Sequence, residues 1–248
     1  MEIKVATFNI HHGRGIDGKL NLERIAQVIE DSQADIIALN EVDKHFSRRS
    51  DYADQLTWLS DRLCMRHSFF GPAITFSAKT GSVPGQYGNA VLSRFPIVFR
   101  HNDVFNRSPL HFEKRAVLEV TVLIHSHLVK IYVTHLSLVP HLRSRQIDFL
   151  GNKIMHDTCP VIAMGDFNTR PGSKSWHKLR RFVTDACHQA GTIPCYTFPS
   201  IRPRLQLDYI FVSRHFHIAS TEVITSLPVA SDHLPLKATL CLTNRLFP

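Results

Sequence analysis

The sequence predicts a single α/β domain, residues 1–248, in which short strands alternate with helices from end to end. Two observations carry this. Runs of apolar and β-branched residues of strand length recur along the chain, and between them lie stretches with the i, i+3, i+4, i+7 spacing of an amphipathic helix. Mixed strands with interspersed helices and no linker, internal repeat or low-complexity tract favour an α/β sandwich over a pair of domains.

In chain order, Ile3–Phe8 is the first strand, with Val5 and Thr7 β-branched. Leu22, Ile25, Ala26 and Ile29 form one face of a helix, and Asn21 stands where an N-cap belongs. Asp35–Asn40 holds the apolar run Ile36–Leu39, a buried strand, and Leu56–Leu63 reads as a second amphipathic helix. Strands follow at Ala90–Leu92, Ala116–Leu123 and Val129–Thr134. His141–Met155 reads as a helix with Leu142, Phe149, Leu150 and Ile154 inward. Val161–Met164, Asp208–Val212 and Leu236–Leu242 complete the strands. The Gly/Pro-rich stretches Thr80–Gln86 and Phe198–Arg204 are loops by composition.

The apolar share of 44% and charged share of 20% exclude a disordered, collagen-like or membrane-embedded chain. Five cysteines, with no CxxC pair, argue against a disulfide framework and a zinc ribbon, and Cys187 and Cys195 read as buried thiols. No signal peptide or transmembrane run is visible, which points to the cytoplasm. A net charge of +8 suits an anionic partner such as a phosphate ester, nucleic acid or a lipid surface.

Acids, amides and histidines recur at the C-terminal ends of the apolar runs. Asn9, Glu41, His135, and Asp166 with Asn168 each close one, and Asp232-His233 precedes the last strand. Each alone reads as a turn or cap; together they read as a site held at strand ends. Carboxylates suit a hard divalent ion, a His beside an Asp suits a general base, and Asn and Arg suit phosphoryl oxygens. In combination these describe in-line hydrolysis of a phosphate ester. His11 and His12 read as residues of a solvated loop.

The motifs Thr7-Phe-Asn-Ile, Asn40-Glu-Val-Asp, Tyr87-Gly-Asn-Ala-Val-Leu-Ser-Arg-Phe-Pro-Ile, Lys114-Arg-Ala-Val-Leu, Thr134-His-Leu-Ser, Met164-Gly-Asp-Phe-Asn, Leu207-Asp-Tyr-Ile-Phe-Val-Ser and Ser231-Asp-His-Leu-Pro-Leu occur in this order across nearly the whole chain. The ordered set resembles the endonuclease/exonuclease/phosphatase family, which includes deoxyribonuclease I. The resemblance implies a four-layer α/β/β/α sandwich of two mixed sheets flanked by helices. It implies Glu41 as principal ligand of Mg²⁺ (or Mn²⁺), with Asn9 and Asp232 beside it. Asp166 and Asn168 would orient the attacking water and phosphoryl oxygens. His233 would be the base or a phosphate-contacting imidazole, with Asp208 fixing its tautomer and raising its basicity. His135 would contact a phosphate oxygen or protonate the leaving group, Arg115 would contact phosphate, and Asn9 would lie within reach of it.

Thr134-His-Leu-Ser resembles the deoxyribonuclease I and sphingomyelinase branches, and Ile201-Arg-Pro-Arg before Asp208 resembles compact bacterial hydrolases of the family. The expected activity is a phosphodiesterase acting on nucleic acid. The alternatives are a phospholipid, sphingomyelin or inositol-phosphate hydrolase, or a phosphate-binding module without activity. No obligate protein partner is expected, and the chain is expected to act as a monomer.

Overall fold

Odd-numbered residues of the first strand, Ile3, Val5 and Thr7, face one way, and Ala6 and Phe8 face the other; nearly all are buried. A strand buried on both faces must lie between two layers. The computed structural model describes residues 1–76, 83–105, 114–191 and 194–243, and its elements follow in chain order. They are β1 (Glu2–Asn9), α1 (Leu22–Ser32), β2 (Ile36–Lys44), α2 (Gln55–Arg62), β3 (His67–Thr75), β4 (Gln86–Ser93), β5 (Ile97–Phe105), β6 (Arg115–Ile124) and β7 (His127–His135). Then come α3 (Pro140–Met155), β8 (Val161–Asp166), α4 (Lys174–Leu179), β9 (Thr184–Asp185), α5 (Ala186–Ala190), β10 (Asp208–Val212), β11 (Phe216–Val223) and β12 (Leu236–Leu242).

Two mixed sheets form, ordered β11-β12-β1-β2-β4-β3 and β5-β6-β7-β8-β10-β9. Each has one parallel pair at its centre, β1 with β2 and β7 with β8, and antiparallel neighbours elsewhere. The sheets pack face to face through Val5, Ala38 and Val91 on one side and Val120, Ile131 and Ile210 on the other. The first sheet's outer face is covered by α1 and α2 through Ile25, Ile29 and Leu59. The second is covered by α3 and α4 through Ile147, Leu150 and Leu179. This is the expected four-layer α/β/β/α sandwich.

Local chemistry sets the element ends. The Asn21 side chain accepts the Arg24 N–H at 3.2 Å, the expected N-cap of α1. Gly165, in β8, takes φ +139, where its Cα lies so close to the Thr134 carbonyl that a Cβ would overlap it. Only glycine permits that approach. It keeps β7 and β8 in register up to their last residues.

The strands not anticipated from the sequence, β3, β5, β9 and β11, are the four sheet edges. An edge strand is paired on one side only and exposes polar side chains. β5 carries Arg100, His101, Asn102 and Asp103, so its apolar signal is weak. Helices α4 and α5, of six and five residues, are too short to show a period. In α3, Ile147, Leu150 and Ile154 are buried, whereas Leu142 and Phe149 are only partly covered. Positions 80–82 of the loop expected at Thr80–Gln86 lie outside the described residues.

One expectation is corrected. Cys187 and Cys195 are joined in a disulfide, with their Cα atoms 6.4 Å apart. Cys187 sits in the first turn of α5, which Asp185 caps. The eight-residue spacing carried no signature of that bond. Cys64, Cys159 and Cys241 are free thiols. Among the described residues, no helix is long and apolar enough to cross a membrane.

Candidate active site

The stripes of side chains that fill the space between the sheets end in polar residues at one edge. On β1 the inward series Ile3, Val5, Thr7 ends at Asn9; on β2, Ile36 and Ala38 are followed by Asn40. On β7 the series Val129, Ile131, Val133 ends at His135, and on β8 Ile162 and Met164 lead to Asp166. β10 enters the sheet at Asp208 before Ile210 and Val212. Register then sets these ends side by side. Asn9 pairs with Asn40, and His135, Asp166 and Asp208 are cross-strand neighbours on three consecutive strands. Parallel central pairs are what make this possible, because adjacent parallel strands finish at the same edge.

Asn40 joins the sheets at that edge. Fully buried, it donates to Asn89 Oδ1 at 2.8 Å and to the Thr134 carbonyl at 3.1 Å, and its Oδ1 accepts the Asp166 N–H at 2.9 Å. Asn89 donates onward to the Ala116 carbonyl at 3.1 Å. Directly after Asn40 the β2–β4 register shifts between Leu39 and Val42, and Glu41 takes φ +59. A bulge re-aims a side chain, and here it carries Glu41 out of the pleat to meet Asn9. Asn9 Nδ2 lies 3.2 Å from Glu41 Oε1 and 3.3 Å from Asp166 Oδ2, so one amide spans the carboxylates of both sheets.

Asp166 is the hub. Its Oδ1 accepts the Asn168 N–H at 2.9 Å, and its Oδ2 faces His135 Nε2 at 3.4 Å and His233 Nε2 at 3.9 Å. Burial, then the neighbouring Asp208 carboxylate, push the Asp166 carboxyl up from 3.8 to about 7. Asn168, at φ +47, donates its amide to the Leu136 carbonyl at 2.9 Å and ties the exits of β7 and β8 together. His233 Nδ1 is 2.8 Å from Asp208 Oδ2, with both groups buried. Burial works against the charged imidazole, but Asp208's charge and hydrogen bond prevail and raise His233 to about 10. Asp208 Oδ1 is buried and has no hydrogen-bond partner among the described residues.

The tautomer of His135 follows from its neighbour. Arg115 Nη1 lies 3.3 Å from His135 Nδ1, and a guanidinium can only donate, so Nδ1 accepts and Nε2–H faces Asp166. Burial, then Arg115, hold this imidazole well below the usual histidine range, so it is neutral. Around Glu41, desolvation opposes ionisation, yet the His12, His135, Asn9 and His11 side chains outweigh it and hold the carboxyl well below its ordinary value.

The site residues anticipated from sequence therefore converge. Glu41, Asn9, Asp166, Asn168, His135, Arg115, Asp208 and His233 form one connected cluster. Asp232 lies at its rim, with Oδ1 3.3 Å from the Ser231 hydroxyl, which donates at 2.8 Å to the Asn9 carbonyl. Asp166, Asp208 and His233 offer ligand-type atoms within 4.8 Å of one another.

A model of the endonuclease/exonuclease/phosphatase family matches residues 6–233. The chain belongs to this family. Its members are hydrolases acting on phosphoesters, and they generally use a divalent metal. Protein YbhP of Escherichia coli strain K12 is 29% identical over 96% of both chains. An endonuclease/exonuclease/phosphatase structure from Beutenbergia cavernae superposes with a TM-score of 0.79 at 25% identity, covering 98% of this chain and 72% of the other. A mannosyl-6-phosphatase of Bacteroides thetaiotaomicron (TM-score 0.77, 18% identity, 97% and 100% covered) shares the fold.

Two residues of this family member were misjudged from sequence. His12 is buried, with Nδ1 4.0 Å from Glu41 Oε2 and no hydrogen-bond partner among the described residues, and His11 Nδ1 is 3.9 Å from Asp232 Oδ1. Both take left-handed φ values, +44 and +46, which turn His12 in beside Glu41, while His11 stays partly exposed with its Nδ1 3.1 Å from the Arg14 carbonyl. Their place straight after Asn9 was the available signal. Beyond Glu41, Arg49 is a further buttress. It clamps the buried Asp43 with two bonds of 2.8 and 2.7 Å and stacks on Phe46 and Tyr87, 4.3 and 5.2 Å from their centroids.

The raised Asp166 and His233 values have a signed consequence for the metal-free protein. Both groups hold protons more tightly when folded, so the stability they supply is lost as pH rises, from 3.8 toward about 7 for Asp166 and from 6.5 toward about 10 for His233. Asp166→Asn removes the first contribution. Thermal melts in EDTA are expected to show the wild type losing about 2 kcal/mol more than the variant between pH 5 and 7.5. Parallel curves would refute the raised carboxyl.

Proposed function

We propose that the protein is a divalent-metal-dependent phosphodiesterase acting on nucleic acid, with Asp166, Asp208 and His233 activating water. The observation that carries this reading is Asp166 Oδ2, which faces two imidazoles of opposite character. One, His135, is neutral, and the other, His233, is locked by Asp208 at 2.8 Å.

The residues present fit a hard cation. Glu41 is held ionised, the Asn9 amide occupies the gap between the Glu41 and Asp166 carboxylates, and the buried His12 Nδ1 lies 4.0 Å from Glu41 with no hydrogen bond among the described residues. Glu41 would hold Mg²⁺ or Mn²⁺, with Asn9 and Asp232 beside it. When bound, such an ion supplies charge stabilisation to the phosphoryl and leaving oxygens.

This chain's own groups do the rest. His233 and Asp166 position a water on the second-sheet side of the phosphorus; Asp166 takes its proton as attack proceeds, since His233, raised to about 10, already carries a proton on each ring nitrogen. Asp208 keeps the His233 Nδ1 position protonated, so that Nε2 is the working nitrogen. Arg115 places N–H groups against phosphoryl oxygens, the one N–H of His135 holds the Asp166 carboxylate in place, and Asn168 fixes the loop that carries Asp166. The net charge of +8 supports a polyanionic substrate over a neutral one.

Purified protein is expected to nick supercoiled plasmid and hydrolyse bis(4-nitrophenyl) phosphate with Mg²⁺ or Mn²⁺, and to lose both activities in EDTA. Asp166→Ala and His233→Ala should each cost about two to four orders of magnitude in turnover. Metal-independent hydrolysis, or an unimpaired Asp166→Ala protein, would refute the mechanism. Cleavage confined to phosphomonoesters, phospholipids or inositol phosphates would refute the substrate class.

A further inference from the structure

On the His233 side of the site, residues 194–206 and the Arg170-Pro171 turn enclose two adjoining open clefts of about 320 and 370 Å³. Arg204 and Leu205 line both; Arg170 and Tyr196 also line the first, and Arg202 and Ile201 the second. No acidic residue lines either cleft. Arg170, Arg202 and Arg204 are exposed, and their guanidiniums make no hydrogen bond or ion pair with the described residues. That contrasts with Arg24, Arg49 and Arg62, each of which is paired with a carboxylate. Three uncompensated cations along one concave surface repel one another and concentrate positive potential there. Arg202 also takes φ +55, a left-handed conformation that a side chain rarely adopts. The Tyr196 side chain stands 40% exposed among these charges.

The cleft is clipped to the candidate site. Phe198 pairs with Leu205 across the hairpin, and its ring lies 4.9 Å from that of His233. The Ser200 N–H donates to the Asp232 carbonyl at 2.7 Å, and the Asp208 N–H to Thr197 Oγ1 at 3.4 Å. Arg170 follows Asn168 by two residues. A strand with its scissile phosphate at Asp166 and His233 therefore meets this basic wall next.

We infer that the cleft is a substrate subsite that pairs phosphates flanking the scissile one with Arg170, Arg202 and Arg204 and stacks a base on Tyr196. The inference rests on the nucleic-acid phosphodiesterase reading and narrows it to a single strand, since unpaired bases are what an exposed ring stacks with.

The test compares wild type with Arg170→Ala/Arg204→Ala and with Tyr196→Leu. The probes are a fluorescein-labelled oligothymidylate of a dozen nucleotides and bis(4-nitrophenyl) phosphate. The double variant should lower the ratio of oligonucleotide to small-substrate kcat/KM by about ten- to a hundredfold, chiefly through KM. In fluorescence anisotropy without activating metal, its slope of log affinity against log salt should fall by about 1.4, two phosphate contacts at roughly 0.7 each for a single strand. Tyr196→Leu should weaken oligonucleotide binding about tenfold with the salt slope unchanged. An unchanged kcat/KM ratio and salt slope would overturn the subsite. If wild type hydrolyses the small diester but binds no oligonucleotide, the subsite fails and a phosphodiesterase remains. If the arginines bind the oligonucleotide but no diester is cleaved, the catalytic reading fails and the subsite stands.

Discussion

Asp208→Asn is expected to cut turnover by about three to four orders of magnitude while leaving the protein folded. Asp208 is fully buried and accepts from His233 Nδ1 at 2.8 Å. An amide there can present its NH₂ instead, which turns Nδ1 into an acceptor and moves the imidazole proton to Nε2. The ring then faces the water as a neutral imidazole, without the positive charge that Asp208 holds on it. His233 should also lose most of the elevation to about 10 that Asp208's charge and hydrogen bond produce. The stability that this elevation supplies is lost with it, but the substitution also removes one of two adjacent buried carboxylates, Asp166 and Asp208 being direct cross-strand partners, so the fold should survive. Steady-state kinetics on bis(4-nitrophenyl) phosphate with saturating Mg²⁺, beside near-ultraviolet circular dichroism, would check both halves. A folded variant with wild-type turnover would remove Asp208 from the mechanism.

Asn40→Ala should have the largest effect on stability. Three bonds end at this side chain, and they reach β4, β7 and β8, so its loss orphans the Asn89 amide oxygen, the Thr134 carbonyl and the Asp166 N–H in a dry interior. At 1–3 kcal/mol for each buried group left unsatisfied, partly relieved by entering water, the cost is about 3–5 kcal/mol. For a chain of this size that lowers Tm by roughly 10 °C. Turnover should fall as well at temperatures where the variant is still folded, because the Asp166 backbone loses its anchor. Asn40→Asp should not rescue it, since a carboxylate keeps the acceptor for Asp166 N–H but faces the Asn89 and Thr134 oxygens with no hydrogen to give. Urea denaturation of the three proteins decides this; a loss under about 1 kcal/mol in Asn40→Ala would mean that the sheets are not pinned here.

The site was legible because its residues obey the strand period. Asn9, His135, Asp166 and Asp208 fall on the same parity as the apolar residues that fill the space between the sheets. A polar residue that closes such a stripe has no local reason to be there, and five or six of them on different strands form a pattern that single turns and caps do not. The central strands were legible for a related reason. Burial on both faces demands continuous apolar runs such as Ile36–Leu39 and Val161–Met164, whereas the edges β3, β5, β9 and β11 need no such run and were passed over.

By itself the sequence determined the layered α/β class, the central strands, the polar ends of those strands and, through the ordered motifs, the family. These are properties of short windows, because period and residue type are local. Which ends meet depends on how the strands pair. The parallel pairing of β1 with β2 and of β7 with β8 sets all four exits at one edge, and a bulge with Glu41 at φ +59 swings that carboxylate toward Asn9. Left-handed turns bring His12 in beside it, and Cys187 and Cys195 join in a disulfide. Each of these depends on backbone angles and register set by contacts between residues far apart in the chain, about which the residues within any one window carry no information.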